Sequence, residues 1–189
     1  MQTINDAPGR ETIGAVGMTA IELLIWLSVL AIIVLIAVPG SAMLMGYYRL
    51  HTVSSELVDD LYLARSEALN RASTVRVCPS DDGKSCRSDG DWSEGWLVYS
   101  DGNADGKVQD IELIEAFAAP RKHMYIIASG AAQEVVGFTA TGLVRDNGAA
   151  SAEFILCPAD FNADPRAVVV DADGWVSLAA ADGRACGAG

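Results

Sequence analysis

From Met18 to Val38 the chain is almost wholly apolar, and Glu22 is the one charge in the run. About 20 apolar residues at a ~1.5 Å rise cross a ~30 Å hydrocarbon layer, so this pattern predicts a transmembrane helix over 18–38. Pro39-Gly40 interrupts it; proline usually kinks a helix, although such breaks are tolerated within membranes. The pattern then changes character. Leu50, Val53, Leu57, Leu61, Ala64 and Ala68 recur at steps of three and four, with Glu56, Asp59, Asp60 and Glu67 falling between them. That is an amphipathic stalk helix, 39–73, whose single apolar stripe is expected to pack on its own domain. Beyond Ser73 short β-rich runs predict strands at 74–78, 95–100, 111–118, 124–128, 135–139, 153–157, 167–171 and 175–178. Asp82-Gly83, Asp89-Gly90, Asp101-Gly102 and Asp173-Gly174 supply the dipeptides that favour positive φ and tight hairpins. The fold class expected is α+β: a long N-terminal helix, membrane span plus stalk, packed on a C-terminal antiparallel β-sheet head over 74–189. Residues 1–17, polar and small, read as a leader peptide.

Composition narrows the function classes. The chain has 189 residues and a net charge of −12, with 25 acidic against 13 basic side chains. Nucleic-acid binding through phosphates needs clustered Lys and Arg, so nucleic acid is not an expected partner. All four cysteines, Cys78, Cys86, Cys157 and Cys186, lie after the apolar run. Four cysteines allow three pairings; Cys78–Cys86 with Cys157–Cys186 is favoured because short loops close most easily. Zinc is the rival use of these thiols, but no C-x-x-C pair is present and the histidines are only His51 and His123. Disulfides place this half of the chain in an oxidising compartment such as the periplasm.

The junction Gly17-Met18-Thr19-Ala20-Ile21-Glu22-Leu23-Leu24 opens the apolar run directly. It resembles the class III signal of type IV prepilins, in which glycine precedes the cut, a methylated apolar residue follows, and a glutamate sits four residues later. Met18 and Ala20 stand where Phe and Leu are usual. The resemblance implies cleavage after Gly17 by prepilin peptidase and N-methylation of Met18. It also implies a pairing of Glu22 with the new amine of a neighbouring subunit, which sets the register of assembly. A carboxylate in a membrane helix costs ~2.5–3.5 kcal/mol at the bilayer centre, so Glu22 needs such a partner. A secretory signal peptide fits less well, for it needs a basic n-region, a shorter apolar run and a cut after that run.

Further along, Leu63-Ala64-Arg65-Ser66-Glu67-Ala68, Val77-Cys78-Pro79 and Asp91-Trp92-Ser93-Glu94-Gly95-Trp96-Leu97-Val98 resemble the minor pilin and pseudopilin family known as GspH/FimT. That likeness implies a minor subunit that helps initiate or cap a pilus or a type II secretion pseudopilus. Its partners are then other pilin subunits, prepilin peptidase and inner-membrane lipid. It is placed in the bacterial inner membrane as a single-pass protein with a periplasmic head, and later in the filament. The alternative function is a DNA- or ligand-binding tip subunit. Some FimT-type pilins bind DNA through a Gly-Arg-x-Arg turn, but the corresponding Asp173-Gly174-Trp175-Val176-Ser177 lacks both arginines. Trp92, Trp96 and Trp175 are expected in the core, as aromatics at strand positions usually are.

Asp101 to Glu112 fits the twelve-residue calcium-loop pattern D-x-N-x-D-G-x5-E. Side-chain oxygens of Asp101, Asn103, Asp105 and Glu112, with the Lys107 carbonyl, form a candidate calcium set, and Gly106 permits the sharp turn. The flanks read as strands where an EF-hand has helices, so an acidic hairpin is the competing account. No nucleophile elbow, phosphate loop or paired catalytic histidine is present, and no enzyme activity is expected.

Overall fold

The computed structural model describes residues 18–118, 124–145, 148, 150–159, 163–181 and 186–187, with the backbone alone over 36–44. It divides into two compact units, 1–41 and 42–189. One helix, α1 (Ala20–Arg71), runs through the division without a break at Pro39-Gly40, so the expected span and stalk are one element.

In the first unit the side chains of α1 are exposed all round: Ile21 at 68%, Leu24 at 64% and Trp26 at 61%. Among the described residues no helix is long and apolar enough to cross a membrane. The apolar helical run whose side chains are described, residues 20–35, reaches about 24 Å at ~1.5 Å per residue, short of a ~30 Å layer. The rest of the expected span, 36–38, lies outside the described side chains.

In the second unit the stripe Leu50, Val53, Leu57, Leu61, Ala64 and Ala68 is buried, each at 2% exposure or less. The stripe ends in two small residues, Ala64 and Ala68. The helix stops where Ala72 turns left-handed at φ 50° and Ser73 N–H closes on the Ala68 carbonyl at 3.3 Å, a capping bond from outside the helix.

All eight expected strands form: β1 (Val75–Pro79), β2 (Gly95–Ser100), β3 (Leu113–Ala118), β4 (Met124–Gly130), β5 (Val136–Phe138), β6 (Ala152–Pro158), β7 (Arg166–Val170) and β8 (Val176–Ala180). They make two antiparallel four-stranded sheets, β3-β2-β1-β5 and β4-β6-β7-β8. Hairpin signals cannot show this division, because they report only local neighbours. β3 starts two residues late because Glu112 and Leu113 donate their N–H groups to the Gln109 carbonyl, at 2.9 and 3.1 Å, in a turn. Both sheets and α1 share one core, which includes Leu57, Leu61, Trp92, Trp96, Phe138 and Phe154. Trp92 meets Phe154 of β6 edge-on at 4.8 Å, and Trp96 stacks on Phe117 of β3 at 4.5 Å. Gly95 is required where it stands: at φ 132° a Cβ would lie 2.2 Å from the Phe117 carbonyl oxygen.

Candidate functional site

The first candidate lies at the start of α1. The Thr19 hydroxyl accepts the Glu22 N–H at 3.4 Å, and the Thr19 carbonyl accepts the Leu23 N–H at 3.2 Å. Thr-x-x-Glu is the pattern of a capping box, a signal present in the sequence but not used above. Glu22 sits in the first turn of α1, where the helix dipole favours a negative charge. Met18, 65% exposed, precedes this cap. Gly17, the other half of the expected cleavage site, lies outside the described residues.

The head is tied by two disulfides, Cys78–Cys86 and Cys157–Cys186, with Cα separations of 5.6 and 5.7 Å. The first closes a loop organised by Asp82, with Asp89 just beyond it. Asp82 Oδ1 accepts the N–H groups of Lys84 and Ser85 at 2.7 and 2.8 Å, and these hold its carboxyl far below the usual range. Asp89 is bound by the Arg87 guanidinium, which lowers it to about 2. Arg87 also faces Asp81, Asp91 and Glu94 at 3.6 to 3.9 Å. The second disulfide brings the C-terminal segment to β6, and Tyr125 of β4 donates its hydroxyl to the Cys186 carbonyl there.

In the candidate calcium loop, Asp101 Oδ1 accepts the Gly106 N–H at 3.3 Å, while Oδ2 lies 2.8 Å from Arg76 Nε. Asn103 Oδ1 accepts the Asp105 N–H at 3.0 Å, and Asp105 Oδ1 accepts the Lys107 N–H at 2.8 Å. Glu112 Oε2 is buried and accepts no hydrogen bond from the described residues. Among the described residues no group of three or more His, Cys, Asp or Glu side chains is arranged to hold a metal ion.

Two side chains depart from their expected places. Trp92 and Trp96 are core residues, but Trp175 is 60% exposed and meets Tyr62 of α1 edge-on at 6.3 Å. It follows Gly174, in the turn before β8. Asp60, expected on the polar face, is 6% exposed. Its Oδ2 accepts the Trp96 indole N–H at 2.7 Å. Burial pushes its carboxyl up to about 6 against the lowering effect of that bond, and Glu56, Glu115 and Asp59 add repulsion. The signal was legible: Asp60 is three residues from Leu57 and four from Ala64, on the apolar stripe itself.

The family model described as "Type II transport protein GspH" matches residues 54–174. Among solved structures, two crystal forms of the type IV minor pilin FimU from Pseudomonas aeruginosa are similar at 18% identity. They cover 68% and 70% of this chain and 91% and 90% of theirs, with TM-scores of 0.51 and 0.53. The minor pseudopilin EpsH of the Vibrio cholerae type 2 secretion system is similar at 13% identity, over 69% of this chain and 95% of that one, with a TM-score of 0.48. A search among curated proteins gives no match.

Proposed function

From the premise that this chain belongs to the GspH family and is a minor pilin or pseudopilin, a structural subunit, we propose that it is made as a membrane-anchored precursor and helps initiate or cap its filament. Prepilin peptidase cuts after Gly17 and methylates Met18. The apolar start of α1 holds the subunit in inner-membrane lipid, with the head in the periplasm, until the helix is drawn into a pilus or pseudopilus among other pilin subunits. The observation that carries this reading is Glu22, the one charge in the apolar run from Met18 to Val38 and four residues after Met18. A new amine on Met18 of a neighbouring subunit is the counter-charge that such a residue needs. N-terminal mass spectrometry of the chain from sheared filaments tests it: N-methyl-Met18 is expected, and an intact Met1 start in cells with active peptidase would overturn it.

A second reading gives the Asp101–Glu112 loop a calcium ion. The buried Glu112 Oε2, which accepts no hydrogen bond from the described residues, favours it. Arg76 opposes it, since the guanidinium already faces Asp101. An ion bound only by the folded head raises its stability by RT ln(1 + [L]/Kd). Calcium should therefore raise the melting temperature and Glu112→Ala abolish the rise, whereas equal melting curves in calcium and in chelator leave an acidic hairpin.

A further inference from the structure

No acidic or basic residue stands between Glu22 and Arg49. The first side chains with polar tips after Ser41 are Tyr47, Tyr48 and Arg49. All three are exposed, Tyr47 at 50% and Tyr48 at 61%, while Gly46 and Leu50 on either side of them are buried. Consecutive residues of an α-helix point about 100° apart. Tyr47, Tyr48 and Arg49 therefore face three sides of α1 within one turn, and Leu50 turns the fourth side to the core.

The head adds a fourth group from β7. The Arg166 guanidinium lies 5.9 Å over the Tyr47 ring, and its Nη2 donates to the Tyr47 hydroxyl at 3.4 Å. Among the described residues neither Arg49 nor Arg166 meets a carboxylate, although the chain has 25 acidic side chains against 13 basic ones. Two phenols and two guanidinium groups are thus gathered where α1 enters the head, and both cations are open to an anion.

We infer that Tyr47, Tyr48, Arg49 and Arg166 form a collar that binds phospholipid headgroups where the head meets the membrane. The inference rests on the proposed membrane anchor and says where that anchor ends. Residues 23–46, uncharged and helical throughout, run about 36 Å at ~1.5 Å each, enough for a ~30 Å hydrocarbon layer and part of the headgroup region beyond it. Tyrosine at that depth keeps its ring against the acyl boundary and its hydroxyl among the headgroups. Arginine lays its stem along apolar surface and brings its charge to phosphate. The arrangement selects lipid over a protein partner. A membrane surface crossed by a helix meets every open side of it at one depth, as this collar does, whereas a partner subunit covers one side.

Its test uses the full chain reconstituted into vesicles of phosphatidylethanolamine and phosphatidylglycerol. A photo-crosslinking residue replaces Tyr48, and a control replaces Ser66, an exposed residue farther along α1. The expected result is a phospholipid adduct from the first at least tenfold above that from the second, and unchanged by millimolar inorganic phosphate. Arg49→Gln with Arg166→Gln should lower the adduct at least threefold. Arg49→Gln alone, which removes no ion pair of the described head, should lower it with the urea melt of the head unchanged. Equal adducts at the two positions, a crosslink to a second copy in place of lipid, competition by inorganic phosphate, or an adduct unchanged in the double variant would overturn the collar. Flotation reads the anchor separately. A chain that floats with the vesicles but gives no lipid adduct at Tyr48 sinks the collar alone, and a chain that does not float sinks both. An adduct from an uncleaved chain upholds the collar whatever becomes of the N-terminus.

Discussion

Asp60 shows how one residue can set a pH response for the whole head. It lies on the buried stripe of α1, its charge faces Glu56, Asp59 and Glu115, and its hydrogen-bond donor is the Trp96 indole. Its folded carboxyl, raised to about 6 from 3.8, opposes folding whenever it is ionised. That opposition is absent below the ordinary value and complete above the raised one, so this group makes the head more stable as pH falls from 7 to 4. Asp60→Asn keeps an acceptor for Trp96 without the charge. It should stabilise the head by about 2 to 3 kcal/mol at pH 7 and change little at pH 4, as urea melts at the two values will show. A loss of stability at pH 7 would mean that the carboxylate is needed there. Trp175 makes the complementary point: an aromatic expected in the core is 60% exposed, because its strand position alone does not say what covers it.

At the scale of elements, α1 and the two disulfides hold the head. Leu61, fully buried between the helix and the sheets, leaves a cavity when truncated; Leu61→Ala should cost about 2 to 5 kcal/mol, measured by denaturant unfolding of a chain starting near Leu50. The disulfides close loops of unequal length, with sequence separations of 8 and 29. By loop entropy, removing Cys78–Cys86 should cost roughly 2.5 kcal/mol and removing Cys157–Cys186 roughly 3.5 kcal/mol. Paired Cys→Ser variants in the same unfolding assay give the order. A larger loss at the shorter loop would point instead to the Asp82 and Arg87 network that this bond secures.

For the whole molecule, an N-terminal helix and a two-sheet head divide the work of a minor pilin or pseudopilin. On the proposed reading the helix start carries the processing and register chemistry, while the head holds the two disulfides and the core. Glu22→Ala should leave cleavage and folding of the head intact but lower the amount of the chain in sheared filaments at least severalfold, because the pairing with a neighbour's amine is lost. Quantitative immunoblots of filament and membrane fractions provide the check. Normal incorporation of Glu22→Ala would remove the electrostatic register from the account.

The α+β class, the buried stripe from Leu50 to Ala68, the eight strands and the short-range cysteine pairing could all be read from the sequence. Each rests on local periodicity, turn chemistry or loop closure, and none needs a distant residue. The motif behind the proposed processing is equally local, since Gly17, Met18 and Glu22 lie within six positions. Tertiary structure alone decided that eight strands divide into two sheets, because sheet order depends on pairings between segments far apart. It decided that Asp60 is buried under Trp96, 36 residues away in sequence, and that Arg76 faces Asp101 inside a loop whose pattern is that of a cation site. It also left Trp175 outside and put β8 at the end of its sheet. Local patterns say which face of an element is apolar; only packing says what, if anything, covers it.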